Sequence, residues 1–166
     1  MQGDDLLEIA FPDILKREIG HLGIELSVAQ LEQFQRYYYE LNEWNSRVNL
    51  TSVTEWEDVQ SRHYLDSLTA ALVIPKAILG SGRFVDVGSG GGFPGVPLLL
   101  AFPGMKGTLV EATGKKTTFL EHLKDSLGLE GLEVLNGRAE TLAHDPALRE
   151  SFDIVLARSI SGMAAL

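Results

Sequence analysis

Apolar residues along this chain follow two rhythms, and the change between them falls near Ile74 to Gly82. Before that stretch they recur at helical spacing; after it, short apolar runs alternate with helix-like segments. Asp4 to Leu22 reads as a weakly amphipathic helix stopped by Gly23. Ser27 and Gln30 form a capping box, with Leu26 and Leu31 as a hydrophobic staple. The helix behind them places Leu31, Phe34, Tyr38, Leu41 and Val48 on one face. Thr54 with Glu57 reads as a second capping box, opening a helix through His63 and Leu65 towards Leu72. Pro75 and the Gly80-Ser81-Gly82 stretch then break the pattern.

From Arg83 to Val87 the chain reads as a strand, followed by a glycine cluster and a helix from Pro94 to Phe102. Thr108 to Glu111 is a second strand, and Lys115 to Leu127 a helix closed by Gly128. Leu132 to Leu135 is a third strand, Ala139 to Leu148 a short helix, and Phe152 to Ala157 a fourth strand. Strands alternating with helices of this length predict parallel βαβ units in a doubly wound α/β sheet, with ligands at the carboxyl ends of the strands. The expected division is a helical cap over residues 1–79 and a Rossmann-like domain over 80–166.

The length of 166 residues, with 45% hydrophobic and 22% charged positions, suits a globular domain with a small extension. With no cysteine, disulfides and thiolate metal sites are excluded, and no metal is expected. No apolar run approaches the roughly 18 residues of a membrane span. Asp4 and Asp5 stand where a secretory signal would be basic. A soluble cytoplasmic protein is expected. The net charge of −9 means that any nucleic acid must be met by a local basic cluster on an acidic body.

Four glycines, Gly88, Gly90, Gly91 and Gly92, exceed what a strand-to-helix turn requires. Lacking Cβ atoms they let a ligand approach the backbone closely, and the helix start behind them favours polar or negative groups. Gly90-Gly91-Gly92-Phe93-Pro94-Gly95 satisfies the dinucleotide fingerprint, so an NAD-dependent oxidoreductase stays open. Starting the register at Gly88 and Gly90 puts the third glycine at Phe93 and breaks that fingerprint. Asp86 suits a ligand with a cationic amino group and sulfonium, such as S-adenosylmethionine. Glu111, ending the second strand, can accept both hydroxyls of a ribose, which either cofactor has. Gly137 to Glu140 lies where an adenine edge would reach, or is simply a capped helix start.

These pieces resemble the motifs of class I methyltransferases, and more narrowly the RsmG (glucose-inhibited division protein B) family of small-subunit ribosomal RNA guanine-N7 methyltransferases. One stretch that carries the resemblance runs Trp44-Asn45, Asn49-Leu50-Thr51, then Arg62-His63 and Asp66-Ser67. The other runs from Phe84 to Gly95, with Glu111, Gly114-Lys115-Lys116, Gly137 to Glu140 and Phe152 to Arg158. By position, the resemblance implies S-adenosylmethionine contacts at Gly88, Phe93, Glu111, Ala112, Thr113, Ala139, Glu140 and Arg158, and 16S ribosomal RNA or the small-subunit particle as partner. His63 and Asp66 match polar positions near the cofactor cleft. No catalytic residue is assigned.

The family's sheet continues past the four strands seen here, so the fourth strand is expected to have an unpaired edge. Ser159 to Met163 replaces an Ala-rich stretch. A non-catalytic cofactor-binding or interaction fragment of the same fold is therefore a further alternative. Asn45 and Asn49, four apart, either act together or shape the helix end. Lys115, Lys116, Arg138 and Arg158 are the expected cations at the ligand edge, with Arg36, Arg47 and Arg62 on the cap.

Overall fold

Ser27 opens the longest helix of the chain by the predicted capping box. Its hydroxyl accepts the Gln30 N–H at 3.2 Å, and Gln30 Oε1 accepts the Ser27 N–H at 2.8 Å. In the computed structural model, which describes residues 10–158, α1 (Asp13–Glu18) and a 3₁₀ turn (Ile19–Leu22) precede it. The predicted start at Asp4 and the Ser159 to Met163 stretch lie outside the described residues. Gly23, left-handed at φ 69°, ends this first helical run as expected.

The long helix α2 (Val28–Val48) buries Leu31, Phe34, Tyr37 and Leu41. Tyr37 therefore takes the deep position expected of Tyr38, which is half-buried and donates its hydroxyl to the Thr54 carbonyl. The next helical run begins at α3 (Trp56–Val59) from Glu55, not from a Thr54 capping box. It continues through a π-helical turn (Gln60–Leu65), α4 (Asp66–Leu68) and a 3₁₀ turn (Thr69–Leu72). The run ends at Leu72, just before Pro75, as the pattern predicts, and Pro75 then stands as N-cap of a further short helix, α5 (Lys76–Ser81).

β1 (Arg83–Val87), α6 (Gly95–Ala101), β2 (Lys106–Glu111), α7 (Gly114–Leu127), β3 (Leu132–Asn136), α8 (Ala139–Leu142) and β4 (Ile154–Ala157) complete the chain. The helix predicted to reach Leu148 stops at Leu142, because Pro146 cannot donate within a helix and Asp145 caps the Ala147 N–H instead. All strands are parallel in the order β3-β2-β1-β4, with β4 at one edge among the described residues.

One face of the sheet is sealed. Phe84, Asp86 and Leu109 are wholly buried there, facing α6, and a single apolar cluster runs from them through α7 into Phe34, Tyr37 and Leu41 of α2. The opposite face, with Val85, Val87, Val110 and Val155, forms an apolar hollow under α8, and Val155 stays 69% exposed.

Candidate functional site

Parallel pairing aligns the carboxyl ends of the strands, so that Val87 pairs with Val110 and Ala157, and Glu111 with Asn136. Gly88, Glu111, Gly137 and Arg158 consequently leave the sheet at one edge. The turn after β1 needs left-handed backbone at Gly88 (φ 71°), Gly90 (57°) and Gly92 (98°), which only glycine adopts without strain.

This turn is held from four directions. Asp86 Oδ2 accepts the Gly95 N–H at 2.8 Å, and the Ser89 hydroxyl donates to the Asp86 carbonyl at 2.9 Å. Tyr37 reaches over from α2 and donates to the Gly91 carbonyl at 2.6 Å. Glu111 Oε2 accepts the Gly90 N–H at 3.0 Å, while its Oε1 accepts the Thr113 N–H at 2.9 Å. Each carboxylate oxygen keeps a further lone pair for a ligand hydroxyl.

The glycines differ in what surrounds them. A Cβ on Gly90 would meet only the Gly88 carbonyl oxygen at 4.0 Å, whereas one on Gly92 would meet Tyr37 Oη at 2.7 Å and Val96 at 2.9 Å. The open approach is thus at Gly90, beside Glu111, with Gly88 exposed next to it. At Gly92, the second glycine of the dinucleotide register, the space is filled by Tyr37 and Val96. This geometry suits a ligand whose diol meets Glu111 and whose remainder lies over the first turn.

Asp86 has a different place from the one its sequence context suggested. It is fully buried beneath the turn, and Oδ1 has no hydrogen-bond partner among the described residues. Burial pushes its carboxyl up to about 7 against the Gly95 N–H, which pulls the other way. It supports the loop and does not face a ligand.

A second group lies at the end of β4. Arg158 donates Nη1 to Asp66 Oδ2 at 2.9 Å and Nη2 to His63 Nδ1 at 3.0 Å, and its guanidinium lies 5.1 Å from the centre of the Phe93 ring. Phe93 is in turn stacked on His63 at 4.4 Å and Tyr37 at 5.3 Å. Burial and the Arg158 charge lower the His63 pKa to about 4, so the ring is neutral near pH 7. The Phe93 side chain is taken up by protein rings and is only 5% exposed.

The remaining predicted positions ring the same edge. Ala112 and Thr113 are exposed directly after Glu111. Gly137 N–H and Asn136 Nδ2 both donate to the Glu111 carbonyl, at 3.0 and 3.1 Å, which ties the start of α8 to the site. Ala139 faces the apolar hollow and Glu140 is exposed in the first turn of α8. Asn45 shapes the end of α2: its Oδ1 accepts the Leu50 and Thr51 N–H groups, and its Nδ2 donates to the Thr51 carbonyl. Asn49 is the left-handed cap of that helix, so the pair builds the turn. Tyr37 carried no signal separating it from an ordinary core aromatic, and its hold on Gly91 was not legible in the sequence.

A family model described as "GidB: rRNA small subunit methyltransferase G" matches residues 30–166. The chain belongs to this family. Proteins named ribosomal RNA small subunit methyltransferase G are similar to it in Dehalococcoides mccartyi (46% identical, covering 89% of this chain and 62% of that protein). Those of Halalkalibacterium halodurans (42%, covering 91% and 63%) and Roseiflexus sp. (44%, covering 93% and 64%) are similar as well. The chain thus spans about three fifths of the length of these curated relatives. A crystal structure of a mutant MtNAS in complex with S-adenosylmethionine aligns with TM-score 0.50 at 17% identity, over 89% of this chain and 61% of that one. At that identity the likeness concerns the fold alone. The fold of this GidB-family chain is accordingly the Rossmann-like class I methyltransferase fold, preceded by helices.

Proposed function

We propose that the protein binds S-adenosylmethionine in the Gly88–Gly90 cradle and transfers its methyl group to N7 of a guanine in 16S ribosomal RNA. The observation that carries this reading is the Glu111 carboxylate, fixed by two loop amides beside an open glycine turn, in a chain of the GidB family. Glu111 would hold the ribose diol, with Ala112, Thr113, Ala139 and Glu140 around the base. Gly88 and Arg158 would flank the amino-acid end, and Phe93 would support that end from beneath the turn. In this reading residues 1–79 act as the cap and 80–166 as the cofactor domain, working in the cytoplasm on ribosomal RNA or on the small-subunit particle.

The bound cofactor supplies an electrophilic methyl group on a sulfonium. Guanine N7 already has a free lone pair, so the chain's work is alignment and electrostatics, and no side chain has to remove a proton first. The rigid turn fixed by Asp86, Tyr37 and Glu111 supplies that alignment. Lys115, Lys116 and Arg138, with Arg36, Arg47 and Arg62 on the cap, would meet RNA phosphates on a body of net charge −9.

The test is transfer of an isotopically labelled methyl group from S-adenosylmethionine to small-subunit particles lacking the modification. Label mapped to N7 of a guanine in 16S RNA is the expected result. A chain that binds the cofactor yet leaves both particles and naked RNA unlabelled is a cofactor-binding fragment without turnover. Lys115→Glu with Lys116→Glu should weaken RNA binding at low salt while cofactor affinity stays unchanged.

A further inference from the structure

Arg158 reaches the candidate site from the last described strand, but the side chains that hold it come from the cap. Its guanidinium has two neighbours one turn apart on the same helical run, Asp66 at 2.9 Å and His63 at 3.0 Å, with a weaker contact to the Arg62 carbonyl at 3.3 Å. The two anchors are unequal. The Asp66 side chain is 56% exposed, where an ion pair contributes little, whereas His63 is only 9% exposed and lies flat against Phe93.

The hydrogen bonds decide the tautomer of His63. Arginine can only donate, so His63 Nδ1 must be the acceptor and must carry no proton. The proton of the neutral ring is then on Nε2, which lies 2.8 Å from Thr51 Oγ1 and donates to it. Thr51 Oγ1 also accepts the Val53 N–H at 3.0 Å, and Asn45 fixes the Thr51 backbone. The chain of contacts therefore runs from the Asn45 amide through Thr51 and His63 to Arg158. Every step has its donor and acceptor defined.

We infer that His63 is a positioning residue: as the Nε2–H tautomer it accepts one Arg158 N–H and fixes the guanidinium over Phe93, so that its remaining donors face a ligand acceptor. After the contacts to Asp66, Arg62 and His63, the Nε–H and the second Nη2–H have no partner among the described residues. Those two donors suit a carboxylate or carbonyl oxygen. The low basicity of the buried ring agrees with a permanent acceptor role. The inference rests on the cofactor-binding reading given above for the ligand that Arg158 meets.

Two isosteric substitutions separate positioning from general support. In His63→Asn the amide oxygen can occupy the Nδ1 position and still accept from Arg158, whereas His63→Gln offers its polar group at the Nε2 position. Calorimetric titration with S-adenosylmethionine should find His63→Asn within about threefold of the parent chain and His63→Gln about tenfold weaker, the effect of one hydrogen bond to a charged group. In an Arg158→Ala background, His63→Gln should add nothing. Equal weakening by both substitutions, or a His63→Gln effect that persists without Arg158, overturns the inference. Nitrogen NMR of the ligand-free chain gives a reading independent of any cofactor. A protonated Nε2 and bare Nδ1 on His63 support the inference even if no S-adenosylmethionine binds, and that failure would then belong to the cofactor reading. A protonated Nδ1 overturns it outright.

Discussion

Two histidines join the N-terminal helices to the elements of the sheet region, and they do so with opposite chemistry. His122 on α7 contacts Glu40 Oε2 at 2.6 Å, and Ser126 donates to the other Glu40 oxygen at 2.5 Å. Glu40, 4% exposed on α2, is thus satisfied by two side chains from the neighbouring helix. His122 donates to a carboxylate, whereas His63 accepts from a guanidinium. The same residue type acts as a strut in one junction and as an aligning acceptor in the other. The partner decides which: a carboxylate can only accept and a guanidinium can only donate.

The largest expected effect comes from the ring shared by Tyr37, His63 and Arg158. Phe93→Ala should destabilise the chain by about 3–5 kcal/mol in urea denaturation, because a buried aromatic with three ring neighbours leaves a cavity. A loss below about 1 kcal/mol would mean that the cluster collapses freely around the gap. Glu40→Ala should cost about 2 kcal/mol, with no change in S-adenosylmethionine affinity, since it strips the strut and leaves the site alone. If it weakened the cofactor as strongly as His63→Gln does, the distinction between the two junctions would disappear. Tyr37→Phe should cost about 1 kcal/mol by removing the donor to the Gly91 carbonyl.

Two further effects concern pH. His63 has a pKa of about 4 in the folded chain, below its usual 6.5, so the unfolded chain binds its proton first. Its contribution to stability is complete above about pH 6.5 and is lost as pH falls towards 4. Arg158, Arg62 and Asp66 are the charged groups that act on it, and the two arginines outweigh the aspartate. Asp86 acts in the opposite sense. Its carboxyl is raised from 3.8 to about 7, so its protonated form favours folding and that contribution is lost as pH rises through this range. Asp86→Asn should remove the second limb and leave a stability curve that falls only on the acid side. An unchanged curve would mean that the carboxyl ionises freely inside the fold.

The parallel sheet, the glycine turn and Glu111 were legible in the sequence because each rests on local pattern: apolar strands of set length, glycines at set spacing, and a carboxylate at a strand end. Local pattern fails to report the structure where a tertiary contact overrides local preference. Tyr37 and Tyr38 are adjacent on one helix, and tertiary packing on Phe93 and Tyr64 decides which is buried. Thr54 is a good capping residue by type, yet the helix opens one residue later. Asp86 suits a cationic ligand by its charge and its place just before the glycines, but its Oδ2 accepts the Gly95 N–H and it is buried under the turn. The Arg158–His63 contact joins residues 95 positions apart, a separation that no local pattern reports.

The central claim is that the cradle beside Glu111 accepts S-adenosylmethionine. Calorimetric titration of the 166-residue chain with S-adenosylmethionine and, separately, with NAD, using Glu111→Ala as control, tests it most directly. Saturable binding of S-adenosylmethionine alone is expected, weakened about a hundredfold in a Glu111→Ala chain that still unfolds cooperatively. Binding of NAD alone, or S-adenosylmethionine affinity indifferent to Glu111, would contradict it.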